Sequence, residues 1–250
     1  MQNQFNKIMD IGEQMLICAA EVHRVEYSMQ RMCSAIGFTR TDVFIITSSM
    51  VVTVYTENEN FTQTRRIQST GTNLEKLHRL NSLSRKICER TIGESELDAE
   101  MKHINATKQP HLWIKCLSYF VIAGAFAVFF GGGIVDFACA AIIGLLLCLL
   151  TELLEKAMPN KFFIKFTGSF LITLGAYAFM RLGVTNSMDK VIIGNIMLLI
   201  PGVGVINSLR DLLVGDSIAG LLRLIEALLL ALSIAAGYFL FVFLMGGRII

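Results

Sequence analysis

The chain is poor in charge, in proline and in every recognisable motif of catalytic chemistry. Only 17% of its 250 residues are charged and the net charge is +2, too little, with no block of five like charges, to attract nucleic acid. The six cysteines (Cys18, Cys33, Cys88, Cys116, Cys139, Cys148) form no C-x-x-C pair and no cluster with histidine. No metal site is therefore expected, and the thiols read as free, in a reducing compartment or in the bilayer. Gly215-Asp-Ser217 lacks the glycine two residues after the serine that a nucleophile elbow requires, and Gly202-Val-Gly204 lacks both the third glycine and the βαβ setting of a dinucleotide fingerprint. Covalent catalysis has no sequence case, and no cofactor is expected. Near Asp10 and Glu13 no short apolar run precedes a cleavage site, so the first segment does not read as a secretory signal.

What the chain does have is apolar surface. Hydrophobic residues make up 54% and the mean hydropathy is +0.58, well off the composition of soluble domains. The charges are uneven: residues 1–111 hold 13 Lys/Arg and 13 Asp/Glu, and the remainder only 9 and 7. The expectation is an α-helical integral membrane protein with two domains, an α+β domain over 1–110 and a membrane domain over 111–250.

In the first part, Met15, Cys18, Val22, Val25, Met29, Met32 and Ile36 step by three and four along one face of an expected amphipathic helix that Gly37 closes. Val43–Ile46, Met50–Tyr55 and Phe61–Ile67 predict a small antiparallel sheet with a hairpin near Asn58. Leu74, Leu77, Leu80, Leu83 and Ile87 predict a second helix, and a shorter one follows from Ser95 to about Asn105.

Beyond Pro110, charge-free windows run over 116–135, 137–151, 166–180, 191–209 and 227–247, which predicts five transmembrane helices. Two of them fall short of the roughly 20 residues a span needs, unless Asp136, Glu152 and Lys165 sit at the interfaces and snorkel. Gly131-Gly-Gly133 carries no positive charge, whereas Lys156, Lys161 and Lys165 follow the next segment. By the positive-inside rule the N-terminal domain is cytoplasmic and the C-terminus outside.

The fourth window contains Pro201-Gly202, which predicts a broken helix. A half-helix starting near Val205 would offer free N–H groups to a carboxylate. Equally, the break could be a kink or tight turn that leaves Arg210 and Asp211 at the interface. Asp211, Asp216, Arg223 and Glu226 follow, with Arg223 and Glu226 spaced to meet on one helical face. Asp211 or Glu226 could carry a coupling proton, since burial raises a carboxylate's pKa; alternatively the charges neutralise one another and fix helix ends. Glu21, His23, Arg24 and Glu26 read as a solvated face of the first helix. Gly168 and Gly175 read as packing glycines.

Two blocks carry a family resemblance. Leu16-Ile-Cys-Ala-Ala-Glu-Val-His-Arg-Val-Glu26, with the amphipathic stretch to Gly37, and Pro201-Gly-Val-Gly-Val-Ile-Asn-Ser-Leu-Arg-Asp-Leu-Leu-Val-Gly-Asp216, with Gly220, Arg223 and Glu226, resemble signatures of the threonine/serine exporter family of bacterial inner-membrane proteins. One departure is Cys18-Ala19, where that family often has a pair containing glycine. The resemblance implies a secondary-active exporter of small carboxylate-bearing metabolites, threonine, serine or a dicarboxylate such as succinate. It implies the larger subunit of a split transporter, whose second half is a separate, smaller membrane protein. Pro201, Gly202, Asn207, Arg210 and Asp211 are then candidates for substrate binding, Asp216, Arg223 and Glu226 for coupling or gating, and Glu21, Arg24 and Glu26 form a motif of the cytoplasmic domain. A homo-oligomer would also supply the missing wall of a path. The competing reading is a membrane-anchored sensor or assembly scaffold whose cytoplasmic domain binds a ligand or a protein.

Overall fold

The computed structural model describes residues 1–68, 70–89, 92–107 and 110–246. The chain divides into two compact units, and they interleave in sequence: residues 1–108 fold with 202–225, and residues 109–201 fold with 226–250. Composition alone suggests a single boundary near Pro110; the stretch after the Pro-Gly break instead folds with the first unit.

The first unit opens with α1 (Gln2–Ile17) and α2 (Val22–Ile36). The single helix expected across Met15–Ile36 is thus two helices. The i, i+3/i+4 spacing holds on both sides of the joint and cannot register the reversal at Ala19, which has φ +65°. There α1 closes on itself, with Ala19 N–H bonding Leu16 O and Ala20 N–H bonding Met15 O. Gly12 lets the two helices cross closely, since a Cβ there would lie 2.5 Å from the Met29 sulfur. Gly37 ends α2 in the left-handed region, with φ +101°, as its sequence position predicts.

Three antiparallel strands follow, β1 (Arg40–Ile46), β2 (Ser49–Tyr55) and β3 (Asn60–Arg66), in the order β1-β2-β3. Val43 pairs with Val52 and Thr53 with Thr62. Met50, Val52 and Val54 point to one face and are fully buried, the period-2 alternation of a half-covered sheet. The hairpin falls where expected, closed by Thr56 N–H to Glu59 O. Helices α3 (Leu74–Glu89) and α4 (Glu94–Asn105) add Leu80, Leu83, Ile87, Leu97 and Ile104 to a core of Phe5, Ile8, Met15, Val25, Met29 and Met32.

The second unit contains α5 (Leu112–Phe129), α6 (Ile134–Ala157), α7 (Lys161–Arg181) and the short α8 (Met188–Ile196). After the break come α9 (Gly202–Val214), in the first unit, and α10 (Ser217–Leu244), whose first residues belong to the first unit and whose remainder belongs to the second. Among the described residues, four helices are long and apolar enough to cross a membrane: α5, α6, α7 and α10, which contain 18-residue windows of mean hydropathy 1.9, 2.5, 1.4 and 2.5. The two windows that were short of a span extend to helices of 24 and 21 residues because their flanking charges are helical too. The window over 191–209 is two shorter pieces on either side of Pro201, the break that the sequence predicts. Leu198 N–H bonds Asn195 O and Leu199 N–H bonds Ile196 O before Pro201, a tightened last turn that the proline cannot continue.

Small residues set the packing of this unit. A Cβ on Gly144 would meet Tyr119 O at 2.7 Å, one on Gly194 would meet Ala123 O at 2.8 Å, and one on Gly237 would meet Phe166 O at 2.2 Å. Gly168 and Gly175 fit as expected, against Leu147 and Ile143. Leucine and phenylalanine dominate the exposed face of these helices, as hydrocarbon solvent allows. Asp136 does not snorkel. It is buried at the start of α6, where it accepts the Gly133 N–H at 2.7 Å and the Thr185 hydroxyl, so a cap rather than water satisfies it.

Candidate functional site

The two blocks singled out in the sequence, nearly 200 residues apart, meet in the first unit. The joint between α1 and α2 exposes backbone groups that neither helix can satisfy: the carbonyls of Ala19 and Ala20 at the reversal, and the Val22 amide, a free N–H of the first turn of α2. Side chains of α9 and of the head of α10 take them one after another. Asn207 donates to Ala19 O at 3.0 Å. Arg223 donates to Ala20 O at 2.7 Å. Asp211 accepts the Val22 amide at 3.2 Å, serving as an N-terminal cap from a distant segment. Arg210 pairs with Glu21, and His23 stands 3.9 Å from Asp216.

Asp211 is the centre of this clasp. Its side chain is 1% exposed, and its second oxygen lies 3.0 Å from Arg223, itself 13% exposed. Burial pushes the Asp211 carboxyl above its ordinary range, while Arg223 and the Val22 amide pull it back. Asp216 closes the α9–α10 turn, its amide bonding Asp211 O at 2.9 Å next to Gly215 at φ +107°. Gly220 lets α10 approach α9, for a Cβ there would lie 2.8 Å from Leu212 N and 2.9 Å from Ser208 O. Glu26, one turn along α2, accepts the Ile45 amide at 3.1 Å. Its pKa is raised to about 7, mainly by burial and then by the Asp216 charge.

The sequence-predicted residues thus fall into groups. Asn207, Arg210, Asp211, Asp216 and Arg223 come together with Glu21, and Glu26 stands beside them. Arg24 is exposed and makes none of these contacts. Gly202 opens α9 and is exposed, after Pro201 ends the preceding turns. Arg210 and Asp211 do not act as a pair, because adjacent residues leave a helix in different directions. Arg223 and Glu226, though spaced to meet, do not. Arg223 is committed to Asp211 and Ala20 O, and Glu226, 41% exposed, lies 3.2 Å from Lys161 in the second unit.

Sequence reasoning missed the other half of the clasp, which is backbone: Ala19 O, Ala20 O and the Val22 amide carry no residue-type signal. It also passed over Ser169 and Asn195, fully buried in the second unit. Asn195 Nδ2 donates to Val191 O at 3.0 Å, but Asn195 Oδ1 and Ser169 Oγ have no partner among the described residues. A polar residue inside an apolar window is the signal that would have found them. No group of histidine, cysteine, aspartate or glutamate among the described residues is arranged to hold a metal ion.

Comparison with known proteins identifies a family for nearly the whole chain. Residues 6–245 match the family described as "Putative threonine/serine exporter". Searches of curated proteins and of solved structures return no match. With nearly the whole length matched and four helices fit to cross a bilayer, the chain belongs to the threonine/serine exporter family, as a multi-pass membrane protein.

Proposed function

We propose that this chain is the larger subunit of a secondary-active exporter of small carboxylate-bearing metabolites, threonine and serine or a dicarboxylate such as succinate. It acts in a bacterial inner membrane with a smaller membrane protein that supplies the second half. The first unit faces the cytoplasm and the C-terminus lies outside, as the lysines after α6 favour. The observation that carries the reading is Asn195. A carboxamide oxygen buried among membrane helices with no partner among the described residues, one turn before the break, is costly unless something polar visits it. Ser169 on α7 offers a second such oxygen, and these two groups are the proposed polar lining of the path on this chain. On the inner side, Asn207, Arg210, Asp211, Asp216 and Arg223, which hold the α1–α2 joint, are the proposed gate.

The sensor or scaffold reading predicts binding without flux. Efflux and counterflow from reconstituted vesicles separate the two, run with and without the candidate second subunit and across serine, threonine and succinate. Saturable flux that needs both subunits and falls at least tenfold in Asn195→Leu supports the exporter half. Absence of flux of all three substrates with both subunits present overturns it.

A further inference from the structure

Charge within the clasp is not balanced. Glu21 has Arg210 and Asp211 has Arg223, whereas the Glu26 carboxylate has a backbone amide, that of Ile45, as its donor. The groups that act on Glu26 come from every side. Asp211 on α9 and Asp216 in the α9–α10 turn repel its negative form, and His23 on its own helix opposes them. β1 presents the Ile45 amide, and Arg223 of α10 is already held by Asp211. One Asp216 oxygen, 3.9 Å from His23 Nδ1, is buried without a hydrogen-bond partner among the described residues, so this corner already holds one weakly satisfied carboxylate.

We propose that Glu26 is a proton-operated release for the clasp: protonated, it is a neutral acceptor that leaves Asp211 and Asp216 undisturbed; ionised, it adds a third negative charge and loosens the hold of α9 and α10 on the α1–α2 turn. The direction follows from linkage. With the clasp closed the group titrates at about 7, and once hydrated it returns towards its ordinary 4.5. Between those values the closed form holds more protons, so acid favours closure and rising pH favours opening. The consequence is a sensor at neutral pH, on the side chain next to the groups that fix the α9–α10 turn. It goes beyond the export reading and stands or falls separately, since its readout is the clasp and not flux.

The test is hydrogen exchange over residues 18–26 in the full-length protein in detergent or nanodiscs, corrected for intrinsic chemistry. With these two ionisation points, the opening constant rises about tenfold between about pH 6 and about pH 8. Glu26→Gln, which keeps an acceptor for Ile45, removes that dependence. Asp216→Asn moves its midpoint to lower pH, because one of the repelling charges is gone. His23→Gln leaves the dependence in place. The proposal is overturned by an opening constant independent of pH in the parent protein, by dependence that survives Glu26→Gln or vanishes in His23→Gln, or by a midpoint unmoved in Asp216→Asn.

Discussion

Asp211→Ala should open the clasp by a calculable amount. The carboxylate is 1% exposed and its arginine partner 13%, so solvent screens the pair little and no surface discount applies. Removing one partner of a buried ion pair costs roughly 3–5 kcal/mol, chiefly because the remaining charge is left uncompensated. Arg223 keeps the Ala20 carbonyl at 2.7 Å, which argues for the lower end. The Val22 amide, by contrast, loses its acceptor, and an orphaned buried donor costs about 1–3 kcal/mol. A net loss of about 4 kcal/mol is expected, or roughly a thousandfold faster exchange of amides held by the clasp, at 1.4 kcal/mol per factor of ten. Hydrogen exchange at Val22, in full-length protein at fixed pH, reads this directly. Asp211→Asn retains an acceptor for Val22 and should lose clearly less. Adding Arg223→Leu to Asp211→Ala should restore part of the protection, giving a coupling of at least about 1 kcal/mol. Unchanged protection at Val22 in Asp211→Ala, or additive effects of the two substitutions, would refute the assignment of Asp211 as both cap and counter-ion.

Three further outcomes test other joints. Ala19 holds φ +65°, a conformation costing an L-residue about 1–2 kcal/mol. Ala19→Gly should therefore raise stability by up to about 1 kcal/mol after glycine's extra unfolded freedom is deducted, seen as slower exchange of residues 18–22. Cys116 and Cys148 have their sulfurs 3.4 Å apart across α5 and α6, so mild oxidant should convert them to an intramolecular disulfide and remove two alkylatable thiols, while Cys116→Ser prevents it. Gly237→Leu would bring a Cβ to 2.2 Å from Phe166 O. It should lower the thermal midpoint in detergent by several degrees, through a packing loss on the order of 2 kcal/mol, and an unchanged midpoint would show that α10 does not pack there.

Periodicity made α3, the three strands and the long apolar helices legible, because each repeats its pattern long enough to outweigh local chemistry. It failed at Cys18–Glu21, where the apolar face continues smoothly past a backbone reversal. No residue type there marks the left-handed φ of Ala19. The Pro-Gly break was legible from chain stereochemistry. Its consequence was not, because hydropathy assigns Ile206, Leu209 and Leu213 to lipid-like surroundings whatever surrounds them. The candidate site was legible as two lists of polar residues but not as one contact, since half its hydrogen bonds end on main-chain atoms. Glu226 was misjoined to Arg223 for a related reason: helical spacing shows that two side chains can meet, not that a better partner stands elsewhere.

The clasp also sets an order for biogenesis. Val22 waits for a residue 189 positions downstream and Ala20 for one 203 positions downstream. The ribosome must therefore deliver α5, α6 and α7 before the first unit receives Asp211, Arg223 and the core residue Ala219. A nascent chain halted between the third apolar helix and residue 223 has an α1–α2 turn with unpaired carbonyls and an uncapped helix, a state recognisable to chaperones and proteases. Completion of that unit thus reports that the intervening membrane helices have been made.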